Sequence, residues 1–191
     1  CFFLLGDFTG HGIAASIGTL PTADLFRDQV GRGSTAAQVL RAINQKLCEQ
    51  LPTNLFLAAC LLVYDPEDDA LEAWNGGMPP VMYRDHDGDT GRIVSTHVPL
   101  GIKKEMGAGE VIRLPAPESV WAVSDGVMEA RDATGAEFGR SRAETALVAH
   151  GIKSVERSVD AFRGSATDDI TMLQLDTTTL RGGLAERTAP H

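Results

Sequence analysis

A short apolar strand that stops at an acidic residue is the feature that most constrains this chain. Residues 1–5 (CFFLL) form a continuous apolar run, typical of a strand buried on both faces, and the run ends at Gly6 and Asp7. A glycine-flanked corner, FTGHG at residues 8–12, follows and leads into a small-residue helix. The two glycines let the backbone come close to whatever Asp7 binds. A lone carboxylate at a strand end is most often a solvated turn or a helix cap, so Asp7 alone is not decisive.

The same arrangement recurs later in the chain. A second apolar strand, residues 119–124, ends at Asp125, which a glycine follows. Asp168 comes just before a third strand that runs to residue 175. In an antiparallel sheet the start of one strand lies beside the end of its neighbour, so this polarity can bring Asp168 next to Asp7 and Asp125.

Three carboxylates gathered at one place would repel each other and lose hydration, at a cost of several kcal/mol per uncompensated ion. A divalent cation removes that cost. Because the acids come with no histidine or cysteine cluster, magnesium or manganese is expected rather than zinc. A pair of such ions about 3.5–4 Å apart activates water and binds the oxygens of a phosphoryl group. The pattern therefore indicates hydrolysis of a phosphate ester.

Composition narrows the class of protein. The chain has 191 residues, of which 43% are hydrophobic, which suits one globular domain with a sizeable core. Its net charge of -9 argues against a nucleic-acid or anionic-membrane surface, because both need a basic footprint. No apolar run reaches the roughly 20 residues of a membrane helix. Three widely spaced cysteines suit neither a disulfide framework nor a zinc site, so we expect a reducing, cytoplasmic compartment.

The hydrophobic periodicity predicts a mixed succession of elements. A helix over residues 11–30, kinked at Pro21, precedes a helix that Ser34 would cap. Two later helices, residues 141–150 and 154–162, would each open at a serine, and residues 177–191 read as a polar, frayed tail. The predicted strands, besides those that carry the acids, are residues 56–64, 71–75, 81–84, 92–95 and 111–114.

Five motifs in order resemble one known family. The chain is similar to the bacterial SpoIIE/RsbU branch of the metal-dependent protein serine/threonine phosphatases, the PPM family, which are relatives of protein phosphatase 2C. Each motif alone is common, and the order of the five makes the signal specific. They are GDFTGHG (6–12), NGGMPP (75–80), PLG (99–101), SDGVMEA (124–130) and DDIT (168–171).

The resemblance implies an α+β fold, a four-layer α-β-β-α sandwich of two antiparallel sheets flanked by helices. It covers residues 1–176, which we expect to be a phosphatase domain, with residues 177–191 as a C-terminal tail. Family members usually carry a further metal-binding aspartate on an upstream strand. We therefore expect the domain to be N-terminally incomplete, without its first strands, and one metal site to be incomplete with it.

The resemblance also implies a dimetal site with magnesium or manganese. Asp7 would bridge both ions, the carbonyl of Phe8 would bind one of them, and Asp125 and Asp168 would bind the other. Asp169 aligns with a neighbouring position that is not a ligand. The alternative is a degenerate site whose acids only cap turns. His11 has the pKa range of a general acid, yet it fits better as a packing or hydrogen-bonding residue at the helix start, so no catalytic side chain is named beyond the ligands.

One further departure from the family lies at Gly77 and Met78, where many relatives have a histidine after alanine-glycine. This position is not a metal ligand in the family, so the difference concerns the lining of the site.

The function implied is metal-dependent hydrolysis of phosphoserine or phosphothreonine on a regulatory protein of the anti-anti-sigma type. The domain would be the output of a bacterial signalling protein, after an upstream receiver or sensor domain, and a homodimer is compatible with this reading. The alternative is a phosphatase-like adaptor that keeps the fold and binds a partner in a sigma-factor or stress pathway. Retention of Asp7, Asp125 and Asp168 favours the enzyme, because an adaptor has no physical need for three adjacent acids.

Overall fold

The computed structural model describes residues 1–10, 13–52, 54–105, 111–164 and 169–188. Within these ranges the strands and helices form an α+β succession. In chain order they are β1 (Phe2–Phe8), α1 (Ile13–Gly31), α2 (Ala36–Gln50), β2 (Leu57–Asp65), β3 (Ala70–Gly76), β4 (Val81–Arg84), β5 (Thr90–Ile93), β6 (Ile112–Pro115), β7 (Ser119–Val123), α3 (Gly126–Glu129), α4 (Arg140–His150), α5 (Ile152–Phe162), β8 (Met172–Asp176) and α6 (Thr177–Thr188).

The chain divides into two compact units, each with one sheet. The first unit comprises Cys1–Met78 and Ser95–Leu114, and its sheet has the order β1-β2-β3-β6. The second unit comprises Pro79–Val94 and Pro115–His191, with the order β5-β4-β7-β8. The recorded strand pairs within both sheets are antiparallel, which confirms the predicted class of two antiparallel sheets with helices. The domain limit at residue 176 stays a prediction.

In the first unit, α2 packs against the sheet through the apolar stripe that the sequence predicts. Its buried side chains join a core cluster with Leu61 of β2 and Trp74 of β3. The helix begins one residue later than predicted. Thr35, not Ser34, is the N-cap, because Gln38 completes a capping box with it. The buried residues of α2 are Ala36, Val39, Leu40, Ile43, Asn44 and Leu47.

The strand β1 continues past its apolar run and carries Asp7 and Phe8 within it. Asp7 lies opposite Ala58 of β2 in the antiparallel register. The helix α1 runs through Pro21 and has Gly18 against the ring of Phe8. A Cβ at Gly18 would overlap that ring, so the missing side chain allows the close approach.

In the second unit, β7 is the central strand that pairs with both β4 and β8. Trp121 and Val123 of β7 pack with Leu147 of α4 and Val155 of α5 in one core cluster. The outer strand β5 completes the sheet through its pairing with β4.

The predicted serine caps of α4 and α5 are wrong. The caps are Gly139 and Gly151, whose φ angles of 80° and 69° lie in the left-handed region. Glycine reaches this region without the penalty that a Cβ imposes. Ser141 and Ser154 therefore lie within the first turns of α4 and α5. The amide of Gly151 also donates to the carbonyl of Leu147, so one residue ends α4 and begins α5.

A helix, α6, occupies most of the region predicted as a polar tail. It starts at Thr177, which is fully buried and donates its hydroxyl hydrogen to the carbonyl of Pro117 at 2.7 Å. The predicted fraying is therefore wrong for residues 177–188. The anchor depends on a contact 60 residues away in sequence, which local polarity does not reveal.

The three cysteines are free, with Cys60 buried in β2. Of the helices that the structure describes, none is long and apolar enough to cross a membrane.

Candidate metal centre

Asp7 stands near the end of β1, in the first unit, and is half-buried. Thr9, two residues later, is hydrogen-bonded to Phe56, which directly precedes β2. The amide of Thr9 donates to the carbonyl of Phe56 at 3.0 Å, and its hydroxyl oxygen accepts from the amide of Phe56 at 3.0 Å. These two bonds hold the strand end in place after the ladder stops, so the backbone that presents Asp7 is anchored on both sides.

Phe8 has two separate roles in this geometry. Its side chain packs against the core of the first unit, which explains why the residue is aromatic. The role predicted from the family uses its main-chain carbonyl and stays a prediction. Gly10, with a φ of 91°, then turns the chain toward α1, while His11 and Gly12 lie outside the described residues.

Asp125 occupies the junction between β7 and α3 in the second unit. It is the N-cap of α3, but its side chain makes no capping hydrogen bond with the helix, and it is exposed. A carboxylate that merely capped α3 would accept from the helix amides. Asp125 makes no such bond, and its exposed carboxylate is accessible to a hard cation.

The segment before β8 lies beside the end of β7, as the antiparallel argument predicts. Val123 pairs with Met172, and the amide of Ser124 donates to the carbonyl of Thr171 at 2.9 Å. Asp169 is described and exposed, whereas Asp168 lies outside the described residues. Its predicted role as a ligand therefore stays a prediction.

Gly126 lets the same segment approach α3. A Cβ at this position would overlap the carbonyl oxygen of Asp169, so no other residue fits without a backbone shift. The glycine of the SDG motif thus brings two chain segments, 43 residues apart at Gly126 and Asp169, into direct backbone contact.

The donor set fits magnesium or manganese in its chemistry. Asp7 and Asp125 offer carboxylate oxygens, and a strand-end carbonyl at Phe8 is a third kind of oxygen ligand that hard divalent ions accept. The structure places Asp7 in the first unit and Asp125 in the second. Among the described residues no group of three or more acidic, histidine or cysteine side chains forms a metal site, so the complete ligand set stays a prediction.

The NGGMPP turn packs beside the strand that pairs with Asp7. Gly77 has a φ of 89°, and a Cβ there would lie 3.2 Å from the Cβ of Ala58, the residue opposite Asp7. The Oδ1 atom of Asn75 accepts from the amide of Met78 at 3.1 Å and closes the turn. Met78 is 3% exposed. The side chain that replaces the family histidine is therefore part of the interior.

Two polar residues that support these turns were missed from sequence. Ser95 accepts a hydrogen bond from the amide of Gly77 at 2.7 Å. Asn44, buried in α2, accepts from the amide of Gly101 in the PLG motif and donates to the carbonyl of Lys103, both at 2.8 Å. An asparagine inside an apolar helical stripe was the available signal for the second of these.

Thiol chemistry has no support at this site. Burial raises the pKa of the Cys60 thiol to about 12, so it stays protonated at neutral pH. Burial also raises the pKa of the Cys48 thiol on α2. Neither group has the lowered pKa of a nucleophilic cysteine.

The chain is similar to known proteins in sequence and in fold. A family model described as Stage II sporulation protein E (SpoIIE) matches residues 1–178. The phosphoserine phosphatase RsbP of Bacillus subtilis (strain 168) is 23% identical over 104 residues, which are 52% of this chain and 26% of that protein. This chain thus spans about a quarter of the length of that curated relative.

Two solved structures show the same fold. The SiaA-PP2C domain of Pseudomonas aeruginosa aligns with a TM-score of 0.76 at 19% identity, over 92% of this chain and 75% of that one. RsbX, solved in complex with magnesium, aligns with a TM-score of 0.69 at 13% identity, over 91% of this chain and 79% of that one. At these identities the likeness concerns the fold.

Proposed function

Since the chain belongs to the SpoIIE family, we propose that it is a metal-dependent protein serine/threonine phosphatase. The observation that carries the proposal is that Asp7 and Asp125 occupy strand ends in a domain of this family, with Asp125 uncommitted to the helix that it precedes. The name of RsbP, a phosphoserine phosphatase, supports the same chemistry.

The proposed centre uses magnesium or manganese, with two ions in the complete domain. Asp7 would bridge them, the Phe8 carbonyl would hold one, and Asp125 with Asp168 would hold the other. When bound, such ions supply an activated water and neutralise the developing charge on the phosphoryl oxygens.

The chain's own residues present these ligands. The Thr9–Phe56 bonds fix the end of β1, so Asp7 and the carbonyl of Phe8 have little freedom to move. In the second unit, the Asp125 carboxylate is exposed, so a cation could bind it by displacing solvent water. No side-chain nucleophile is required, which agrees with the raised pKa values of Cys48 and Cys60.

We further propose that the substrate is a phosphorylated regulatory protein of the anti-anti-sigma type, in the bacterial cytoplasm, and that the domain is the output of a signalling protein with a receiver or sensor domain. The net charge of -9 supports a protein partner over nucleic acid. A homodimer is compatible with this proposal.

The test measures hydrolysis of a generic aryl phosphate and of phosphoserine proteins by the full chain with added manganese. Asp125→Asn should lower kcat/KM by about 100- to 1000-fold, since a lost metal ligand removes about 3–4 kcal/mol of transition-state stabilisation. Asp87→Asn, which changes another exposed aspartate of the second unit, is the matched control and should leave the rate unchanged. Chelator should abolish the activity. A protein that is inactive with manganese on both substrates, yet binds a regulatory partner, would be the adaptor.

A further inference from the structure

Ser124 is a buried hydroxyl between the two acidic segments of the second unit. It is 1% exposed and directly precedes Asp125. Its Oγ accepts from the amide of Thr171 at 3.0 Å and donates to the carbonyl of Asp169 at 3.5 Å. The side chain therefore binds both ends of the three-residue segment that follows Asp168.

These bonds are additional to the strand ladder. The β7–β8 register ends at Val123 and Met172, and one backbone bond, from the amide of Ser124 to Thr171, continues it. Removing the hydroxyl would leave the ladder and this backbone bond intact. It would leave the Thr171 amide without its partner, so the segment of residues 169–171 would be held more loosely at the side of Asp125.

Gly126 contacts the same segment on the other side of Asp125. Because its backbone lies against the carbonyl of Asp169, the segment is enclosed between Ser124 and Gly126, the residues on either side of Asp125. The residues on both sides of Asp125 thus contact the backbone of residues 169–171.

We propose that Ser124 is a positioning residue, whose hydroxyl holds residues 169–171 beside Asp125 for metal binding. The inference rests on the proposed function, because it assigns Ser124 a role toward that metal centre. Side chains that orient ligands without touching the metal typically change metal affinity by about 10- to 100-fold when they are removed.

The chain offers a matched control at the other end of β8. Thr177 is also fully buried and donates its hydroxyl to a backbone carbonyl, that of Pro117. Thr177→Val removes a hydroxyl of the same kind, next to the same strand, without touching the segment of residues 169–171. A general loss of stability would affect both variants, whereas a positioning role concerns Ser124 alone.

The experiment compares wild type, Ser124→Ala and Thr177→Val in the full chain, by calorimetric titration with manganese. Amide hydrogen exchange at Thr171 and melting curves in chelator accompany each titration. We expect Ser124→Ala to bind manganese about 10- to 100-fold more weakly, with faster exchange at Thr171. Thr177→Val should keep the wild-type affinity and the wild-type exchange at Thr171.

The outcomes separate this inference from the proposed function. Wild-type binding that Ser124→Ala leaves unchanged overturns the positioning role alone, as does an equal weakening in both variants. A wild type that binds no manganese overturns the proposed function and the positioning role together. Faster exchange at Thr171 with a wild-type melting temperature in chelator would show that Ser124→Ala folds and that only the segment has loosened.

Discussion

Asn44 offers the sharpest stability test, because its side chain joins α2 to the loop that follows the PLG motif. It is 2% exposed and makes two hydrogen bonds of 2.8 Å, one from the amide of Gly101 and one to the carbonyl of Lys103. Asn44→Ala removes both and leaves two backbone groups of a partly buried loop without this partner. Each lost bond costs about 1 kcal/mol, and an unsatisfied buried group costs about 1–3 kcal/mol.

Together these terms predict that Asn44→Ala lowers the free energy of unfolding by about 2–4 kcal/mol. For a chain of this size about 1 kcal/mol shifts the melting temperature by 2–4 °C, so we expect a fall of about 5–15 °C. Urea unfolding followed by circular dichroism gives the free energy, and calorimetry gives the melting temperature.

Gln45→Ala is the control on the same helix. Its side chain is exposed and donates a hydrogen bond of 2.9 Å to the carboxylate of Glu49, an i,i+4 pair worth about 0.2–0.5 kcal/mol. If Asn44→Ala costs no more than Gln45→Ala, the loop is not held by Asn44 and the argument fails.

Asn44→Asp refines the same test through pH. The introduced carboxyl keeps an acceptor for the Gly101 amide but faces the Lys103 carbonyl without a proton when ionised. Burial and that carbonyl raise its folded-state pKa above the unfolded value. The variant should therefore be nearest to wild type at low pH and lose stability as pH rises through the raised pKa. Equal destabilisation at pH 4 and pH 8 would contradict this reasoning.

Three further predictions concern the metal centre. Asp7→Asn should weaken manganese binding strongly in calorimetric titration while Asp169→Asn does much less, and equal affinities in wild type and Asp7→Asn would refute the bridging role. Manganese at about 100 times its dissociation constant should stabilise the fold by about 2.7 kcal/mol, read as a rise in melting temperature that sodium at matched ionic strength does not reproduce. Alkylation of the accessible thiols, with Cys60 protected by burial and a pKa of about 12, should leave phosphatase activity intact, and inactivation would indicate thiol chemistry.

Local patterns predicted much of the architecture. The stripe of α2, the strand β4 and the polarity of β7 against β8 each depend on periodicity or strand direction within a short stretch, and all three are present. Helix starts were less predictable. Gly139 and Gly151 cap their helices with a left-handed φ. The sequence does not show this angle, and the nearby serines are the more usual N-cap residues.

The supporting residues that sequence analysis missed depend on long-range contacts. Ser124 and Asn44 find their partners 45 to 60 residues away, so no window of neighbouring residues marks them as supports. The single-turn helix α3 is also too short to show a helical period. The acids, by contrast, stood out because each adjoins an apolar strand.

The contact of Gly126 with the Asp169 backbone has a consequence for how relatives are classified. One methyl group at position 126 would push the two chain segments apart, although the sequence would still contain every aspartate of the motifs. A homologue with alanine there would keep all the acidic residues of the motifs, and yet we expect the backbone segments that carry its predicted ligands to be displaced. We therefore expect a change at an uncharged residue that is not itself a predicted ligand to be enough to impair metal binding in such a homologue.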